Sequence, residues 1–172
     1  MAKSDGNIRE KFHKLARQTP SSGEADRVPD WEPVISIGTA AKLVNLSVSA
    51  LRKYEKEGLL IFHRSDSGHR ILCQADLKRI KMIKHMIGDL GLNLEGIRRL
   101  LALLPCWDLK LCTRNEKRSC QAVTDAGRPC WMIKDARADG NGQDCRLCEV
   151  YRYGAYCAVT MKMLLHSTRT ES

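Results

Sequence analysis

The chain has 172 residues, which is enough for one ordinary domain or two small ones. Its formal net charge is +9 at pH 7, and residues 34–105, with 12 basic and 6 acidic side chains, carry six of those nine charges, so a polyanionic partner is expected. No apolar run approaches the roughly 18 residues of a membrane-spanning helix and the first residues lack the apolar core of a signal peptide, which predicts a cytoplasmic protein with no membrane partner.

Residues 1–33 are interpreted as an N-terminal extension and a linker. Ile8, Phe12 and Leu15 recur at helical spacing, so residues 7–18 either form an amphipathic helix that packs on a partner subunit or remain an unstructured tail. Residues 19–26 are polar and rich in Pro, Ser and Gly, which is typical of a flexible linker. The ordered part of the chain is therefore expected to begin near residue 34.

Two short helices separated by a tight turn are predicted next. The first runs over about 39–44, with Thr39 as its cap. Ser47 can cap the second helix, and Gly58 suits the left-handed residue that commonly follows a helix. The outward-facing positions of the second helix are polar and basic, namely Ser49, Arg52, Lys53 and Lys56.

A hairpin and two longer helices follow the helix pair. Residues 60–72 have a Ser-Gly tip, which is typical of a two-stranded wing. Asp76 is predicted to cap a helix that ends near Ile87, and Asn93 to cap a helix that reaches Leu104. The apolar stripes of these helices are interpreted as core: Leu77, Ile80, Ile83, Met86 and Ile87 in the first, and Leu94, Ile97, Leu100, Leu101 and Leu104 in the second.

Several motifs occur in an order that resembles the MerR family of regulators. They are Ser47-Val48-Ser49-Ala50-Leu51-Arg52-Lys53-Tyr54-Glu55, Gly58-Leu59-Leu60, the Gly68-His69-Arg70 wing and Leu92-Asn93-Leu94-Glu95-Gly96-Ile97. The resemblance covers residues 35–104 and implies a winged helix-turn-helix that binds double-stranded DNA as a homodimer on a two-fold operator. It also implies that the protein distorts its DNA, with RNA polymerase at the promoter as a partner if the protein is an activator.

The same resemblance implies which side chains meet the DNA. Arg52 and Tyr54 match positions at which the family contacts phosphate, and Arg70 matches the arginine of the wing. Lys53 stands where the family usually has a tyrosine, and His69 replaces the usual wing tyrosine. The full set of candidate DNA-binding residues is Ser47, Ser49, Arg52, Lys53, Tyr54, Arg64, His69 and Arg70.

The chain departs from the family where the dimer helix should begin. Family members continue after the matched domain into a long helix that pairs as an antiparallel coiled coil. Here Pro105-Cys106-Trp107 interrupts the helical pattern. The dimer contact would then come from the cysteine-rich tail, the N-terminal helix or residues 158–166.

Residues 106–172 hold seven of the eight cysteines and are predicted to form a small, loop-rich module. Cytoplasmic thiols remain reduced, so these cysteines are interpreted as metal ligands or redox groups. Cys145 and Cys148 have the spacing with which one turn presents two thiolates to a metal. The candidate ligands are Cys120, Cys130, Cys145 and Cys148, with Cys106, Cys112 and Cys157 next, whereas Cys73 is interpreted as a small core residue.

Two segments of this region have the same Pro-Cys-Trp sequence. Pro105-Cys106-Trp107 and Pro129-Cys130-Trp131, followed by the Cys145–Cys148 pair, resemble the two-CW type of cysteine-rich module found on bacterial signalling proteins. A bound metal would replace the core that this segment cannot build from its few aliphatic side chains. We slightly favour an iron–sulfur cluster over zinc, because the thiols outnumber the four ligands that zinc needs.

These observations predict a mainly α protein, in which a winged helix-turn-helix domain precedes a cysteine-rich metal module. The expected function is transcriptional regulation under the control of the metal or redox state of the cysteines. The alternative is an architectural or recombination-accessory DNA-binding protein with a structural zinc site. An enzyme is not expected, because the sequence has no nucleotide-binding loop, no Ser/His/Asp constellation and no paired carboxylates.

Overall fold

The computed structural model describes residues 28–104, 106–109, 115, 118, 120–133, 144–152 and 154. The parts of the sequence that lie outside this description include residues 7–18, residues 19–26, Pro105, Cys112, Cys157 and residues 158–166. Within the described part, no helix combines the length and the apolar composition needed to cross a membrane.

The described residues are mainly helical and include one small sheet. In chain order the elements are β1 (Ile35–Ser36), α1 (Ile37–Leu43), α2 (Val48–Lys56), β2 (His63–Arg64), β3 (Arg70–Leu72), α3 (Gln74–Gly88), α4 (Leu94–Ala102), α5 (Cys106–Leu109) and α6 (Cys130–Ile133). Short 3₁₀ turns lie at Gln121–Val123 and Cys145–Leu147.

Helices α1 and α2 form the predicted helix-turn-helix, with one correction at the start of α1. The N-cap of α1 is Ser36, whose Oγ accepts a hydrogen bond from the backbone N of Thr39 at 3.1 Å. The prediction that Thr39 is the cap was wrong, because Thr39 already lies within the first turn. The prediction for α2 is confirmed, since Ser47 Oγ accepts from the backbone N of Ala50 at 3.1 Å.

The start of α3 needs a similar correction. Its N-cap is Cys73, and Asp76 lies three residues later, inside the first turn. The Asp76 carboxylate accepts a hydrogen bond from the backbone N of Cys73 at 2.9 Å, which makes it the second partner of a capping box rather than the cap. Helix α4 begins as predicted, because Asn93 Oδ1 accepts from the backbone N of Gly96 at 2.7 Å.

The sheet contains the predicted wing and one strand that the sequence did not reveal. Its order is β1-β3-β2, and both pairings are antiparallel. Gly68, with a φ of 79°, turns the chain between β2 and β3. Strand β1 pairs Ile35 with Leu72, but two residues are too few to show strand periodicity.

The core lies between the helix-turn-helix, the sheet and helices α3 and α4. The predicted stripe of α3 is buried at four positions, whereas Ile87 is 37% exposed. On α4, Ile97 and Leu101 are buried, as is Leu104 beyond its end, and Leu94 and Leu100 are half-buried. Side chains from the cysteine-rich region join the same core: Cys106, Ala122, Trp131, Cys145, Val150 and Tyr151.

Candidate nucleic-acid interface and thiol site

Helix α2 presents a polar and basic face to solvent. Arg52 and Lys53 are exposed, whereas Leu51, which precedes them on the helix, is fully buried. Ser47 and Ser49 are also exposed at the start of the helix, and their hydroxyls share a hydrogen bond of 2.8 Å. Hydroxyl donors and cations on one exposed helix face are the groups that a recognition helix offers to a major groove.

Tyr54 differs from its neighbours because it packs into the core. Its side chain is only 6% exposed, and this burial raises the pKa of its hydroxyl above the usual 10. A phosphate could therefore meet only a small part of this residue. The predicted contact between Tyr54 and DNA stays a prediction.

The wing is attached to the recognition helix through one carboxylate. Glu55 of α2 accepts from Arg64 at 2.7 Å and from Arg70 at 2.7 Å, while His69 is exposed nearby. Two guanidinium groups share one carboxylate, so the group keeps one net positive charge. These contacts place the basic side chains of the wing beside the basic face of α2, as a winged DNA-binding domain requires.

The thiols of Cys106, Cys145 and Cys148 lie near that of Cys130, and we call these four residues the thiol site. The thiols of Cys130 and Cys106 are hydrogen-bonded to each other. This hydrogen bond, burial and the nearby charges of Cys106, Cys148 and Cys145 all raise the pKa of Cys130. The raised pKa favours the protonated thiol of Cys130, so a cation that binds here would have to displace a proton.

Short helical segments position these four thiols. Cys106 and Cys130 are the first residues of α5 and α6. The other two thiols flank a 3₁₀ turn, in which the backbone N of Cys148 donates to the carbonyl of Cys145 at 3.1 Å. Asp144 caps that turn by accepting from the backbone N of Arg146 at 2.9 Å. Each segment is too short to be stable alone, so the cluster depends on packing or ligation.

The donor set fits either of the two cofactors considered from the sequence. Cys106 and Cys145 are buried and Cys130 and Cys148 are half-buried, and both a zinc ion and an iron–sulfur cluster take about four thiolates. Three of the four first-choice cysteines lie in the thiol site. The fourth, Cys120, is half-buried just before the Gln121–Val123 turn and is not among the main causes of the raised pKa of Cys130.

A second group of ligand-type side chains was missed by the sequence analysis. Ligand atoms of His63, Cys73 and Asp76 all lie within 4.8 Å of one another. The Cys73 thiol donates to Asp76 at 3.3 Å, and burial raises the pKa of that thiol to about 12. The fully buried Arg79 lines the same pocket, so a cation there would meet a positive charge. Cys73 and Asp76 of this group also form the capping box of α3.

A buried arginine on α3 connects the two regions of the chain, and its role has no sequence signature. Arg79 is 1% exposed, and its guanidinium carbon lies 5.0 Å from the ring centroid of Trp131 and 4.1 Å from that of Tyr151. Its Nε donates to the carbonyl of Leu59 at 2.8 Å, and its Nη1 donates to the carbonyl of Tyr151. Burial lowers the pKa of Arg79, although a guanidinium remains charged in proteins.

The two aromatic residues also bind the chain segment that joins α2 to the wing, residues 57–62, which we call the junction segment. Trp131 Nε1 donates to the carbonyl of Gly58 at 2.8 Å, and the hydroxyl of Tyr151 accepts from the backbone N of Ile61 at 2.8 Å. Gly58 has a φ of 71°, and a Cβ built there would lie 2.3 Å from the sulfur of Met132. The cysteine-rich region therefore holds the backbone beside the recognition helix.

Comparison with known proteins agrees with this geometry. Residues 35–104 match the MerR HTH family regulatory proteins. A protein of Haemophilus influenzae named "Probable heavy metal-dependent transcriptional regulator" is 41% identical over 90 residues, which are 52% of this chain and 62% of that protein. The HTH-type transcriptional regulator ZntR of Escherichia coli is 37% identical over 68 residues, or 39% of this chain and 48% of ZntR.

These matches define the class of the domain. Residues 35–104 are a MerR-family helix-turn-helix domain, as the sequence motifs predicted. The chain spans less than two thirds of the length of either relative, and the match to the family ends before the thiol-rich region. The named relatives are transcriptional regulators and not enzymes.

Proposed function

We propose that the protein is a MerR-type transcriptional regulator that binds double-stranded DNA and is controlled by the metal or redox state of its cysteines. The observation that carries the proposal is that four convergent thiols lie in the region whose aromatic side chains hold the junction segment. In this proposal residues 34–105 read DNA, residues 106–172 respond to the signal, and residues 1–33 are an extension. The protein acts in the cytoplasm, with RNA polymerase as a partner at activated promoters.

The DNA-binding part of the proposal rests on the exposed cations and hydroxyls of α2 and the wing. Arg52 and Lys53 are exposed on α2, and Arg64 and Arg70 of the wing bind Glu55 of α2. Binding as a homodimer would place two such surfaces on the half-sites of a two-fold operator. The dimer contact would involve the cysteine-rich region or the N-terminal extension, since α4 ends at Ala102.

The metal-binding part rests on the donor chemistry of the thiol site. When bound, a zinc ion would hold the four thiolates in a fixed tetrahedron, whereas an iron–sulfur cluster would add a charge that changes with oxidation. The relative from Haemophilus influenzae is named as heavy metal-dependent, which favours a metal response for this chain as well. Cys120 and the two cysteines at 112 and 157 remain further candidate ligands.

The experiment is an anaerobic purification followed by the visible spectrum and by analysis of iron, sulfide and zinc. We expect about one metal centre per chain. The double variant Cys130→Ser/Cys148→Ser should lose the metal, and the matched variant Cys73→Ser, which changes a helix cap, should keep it. A full metal complement in the double variant would show that other residues are the ligands.

The spectrum and DNA binding together separate the proposal from its alternative. A brown protein that bleaches in air would contain an iron–sulfur cluster, and a colourless protein with stoichiometric zinc would contain zinc. The alternative is an architectural protein with a structural zinc site. It would be supported by zinc-loaded and metal-free proteins that bind and bend a selected DNA duplex equally, whereas a metal-dependent difference would support a regulator.

A further inference from the structure

We propose that Arg79 is the positioning residue through which the thiol site controls the recognition helix and the wing. This inference rests on the proposed function, because it assumes that the thiol site binds a metal. It adds a route by which the metal state reaches the DNA-binding surface. The route consists of Arg79, the two rings that enclose it and the junction segment.

The first argument is the unusual electrostatic position of Arg79. It is completely buried, and among the described residues no carboxylate lies within ion-pair distance of it. Its Nη2 also has no hydrogen-bond acceptor within that part of the chain. Asp76, three residues earlier on α3, favours the charged form from beyond ion-pair distance, and a buried charge without a direct ion pair is costly.

With a metal bound, the thiol site would add negative charge near Arg79. Trp131, which stacks on Arg79, directly follows the ligand candidate Cys130, and Tyr151 lies three residues after Cys148. Tyr151, Asp76 and Cys130, in decreasing order of effect, favour the charged form of Arg79 and so raise its pKa against the effect of burial. A zinc ion bound by four thiolates carries a net charge of about −2, because four single negative charges exceed its two positive ones. Such a centre would stabilise the guanidinium at this position.

The second argument is that Arg79, Trp131 and Tyr151 also bind the backbone of the junction segment. Arg79 Nε donates to the Leu59 carbonyl, Trp131 Nε1 to the Gly58 carbonyl, and Ile61 N to the Tyr151 hydroxyl, each at 2.8 Å. These three backbone groups lie within four consecutive residues. They belong to the junction segment, which sets the position of the wing relative to α2.

The consequence is that the junction segment is more ordered when metal is bound than when it is absent. With metal bound, the rings and Arg79 fix the backbone at residues 58–61, so the recognition helix and wing are already arranged for DNA. Without metal, the four thiols are not joined by ligation, so α6 and the helical residues 149–152 lose that anchor, and DNA binding must order the junction segment itself. Metal therefore increases DNA affinity by lowering this ordering cost.

The test measures DNA affinity with and without Zn²⁺ as the probe metal, on a duplex selected from a random pool with the wild-type protein. We expect zinc to increase the affinity of the wild type about tenfold, a typical size for coupling between two sites. Arg79→Met keeps the length of the side chain but removes its charge, and it should bring the ratio of the two affinities close to one. Arg99→Met, which changes an exposed arginine, is the matched control and should keep the wild-type ratio.

Two further measurements keep the test informative if Arg79→Met does not fold. Tyr151→Phe keeps the stacking ring and removes only the hydroxyl that accepts from Ile61 N, so it should reduce the ratio while zinc still binds. Hydrogen exchange at the Ile61 amide should slow when zinc binds the wild type, and should be fast in Tyr151→Phe with or without zinc.

The outcomes distinguish the inference from the proposed function. A wild-type ratio that survives in both Arg79→Met and Tyr151→Phe, with zinc bound, would overturn the inference and leave metal control standing. Equal wild-type affinities with and without zinc would overturn it while leaving DNA binding intact. Failure of the wild-type protein to bind zinc through its thiols, or to bind DNA at all, would instead contradict the proposed function.

Discussion

At the scale of single residues, adjacent side chains of α2 have different roles. Arg52 and Lys53 are exposed, whereas Leu51 and Tyr54 fill the core behind them. A cation on the exposed face can change DNA binding without changing the fold, while Tyr54 cannot be altered without affecting the core. Substitution of the exposed residues is therefore the cleaner test of the interface.

Arg52→Ala should weaken binding to all DNA sequences to a similar extent. Arg52 matches a phosphate-contacting position, and the loss of one phosphate contact lowers the slope of log K against log salt by about one unit. A salt titration of the variant and the wild type measures this slope. Lys81→Ala, which removes an exposed cation from α3, is the control and should leave the slope unchanged. An unchanged slope in Arg52→Ala would remove Arg52 from the interface.

His63 should make the stability of the protein depend on pH. Burial, followed by the nearby guanidinium of Arg146, lowers the pKa of His63 below its usual 6.5. The neutral form is thus favoured in the folded state. Its stabilising contribution is complete above about pH 6.5 and is lost as the pH falls through the lower folded value.

Urea unfolding at about pH 7.5 and about pH 5.5 measures this contribution. The free energy of unfolding of the wild type should decrease between these two values, and the decrease should be smaller in His63→Asn. His69→Asn changes an exposed imidazole on the same wing and serves as the control. A pH dependence in His63→Asn that equals that of the wild type would refute the assignment.

At the scale of elements, the N-termini of the helices show how accurately the sequence predicts the position of an N-cap. Ser47 and Asn93 were predicted because each directly precedes an apolar helical pattern. Thr39 and Asp76 were predicted for the same reason but lie inside the first turn, because Ser36 and Cys73 precede them. Asp76 still takes part in capping through its carboxylate, whereas Thr39 supplies the backbone N–H that Ser36 caps.

Ser36→Ala should cost about 1 kcal/mol of stability, the usual effect of removing an N-cap side chain. Its Oγ accepts from the backbone N of Thr39 at 3.1 Å, and that N–H would otherwise be unsatisfied. Thr39→Ala removes only the exposed contact between the two hydroxyls, so it should cost less. Urea unfolding of the two variants compares these costs, and a larger loss in Thr39→Ala would restore Thr39 as the more important residue.

At the scale of the whole molecule, the sequence predicted the composition of each part but not the contact between them. The helix-turn-helix, the wing and the helix stripes follow from local patterns of charge, turns and apolar spacing. The clustering of Cys106 with Cys130, Cys145 and Cys148 depends on how three distant segments pack, which no local pattern encodes. The stacking of Arg79 between two rings is unpredictable for the same reason, because all three residues come from different segments.

Removal of metal should destabilise the DNA-binding domain as well as the cysteine-rich region. Trp131, Val150 and Tyr151 lie in the same core as the helices of residues 35–104, so loss of the ligated structure exposes that core. We expect a chelator to lower the melting temperature by about 5 °C or more, in a single transition seen by both helical signal and tryptophan fluorescence. Two separate transitions, with the helical one unchanged, would show that the regions are independent.

The carboxylate of Glu55 binds two arginines that are candidates for DNA contact. It accepts one hydrogen bond from Arg64 Nη2 and one from Arg70 Nε, each at 2.7 Å, so each guanidinium keeps further N–H donors for a phosphate. A phosphate that binds either arginine would share it with Glu55, so the contact would yield less free energy than a contact with an unpaired cation. Non-specific binding to the rest of the chromosome would therefore be weaker. A larger share of the total affinity then comes from base contacts, which only the correct site provides.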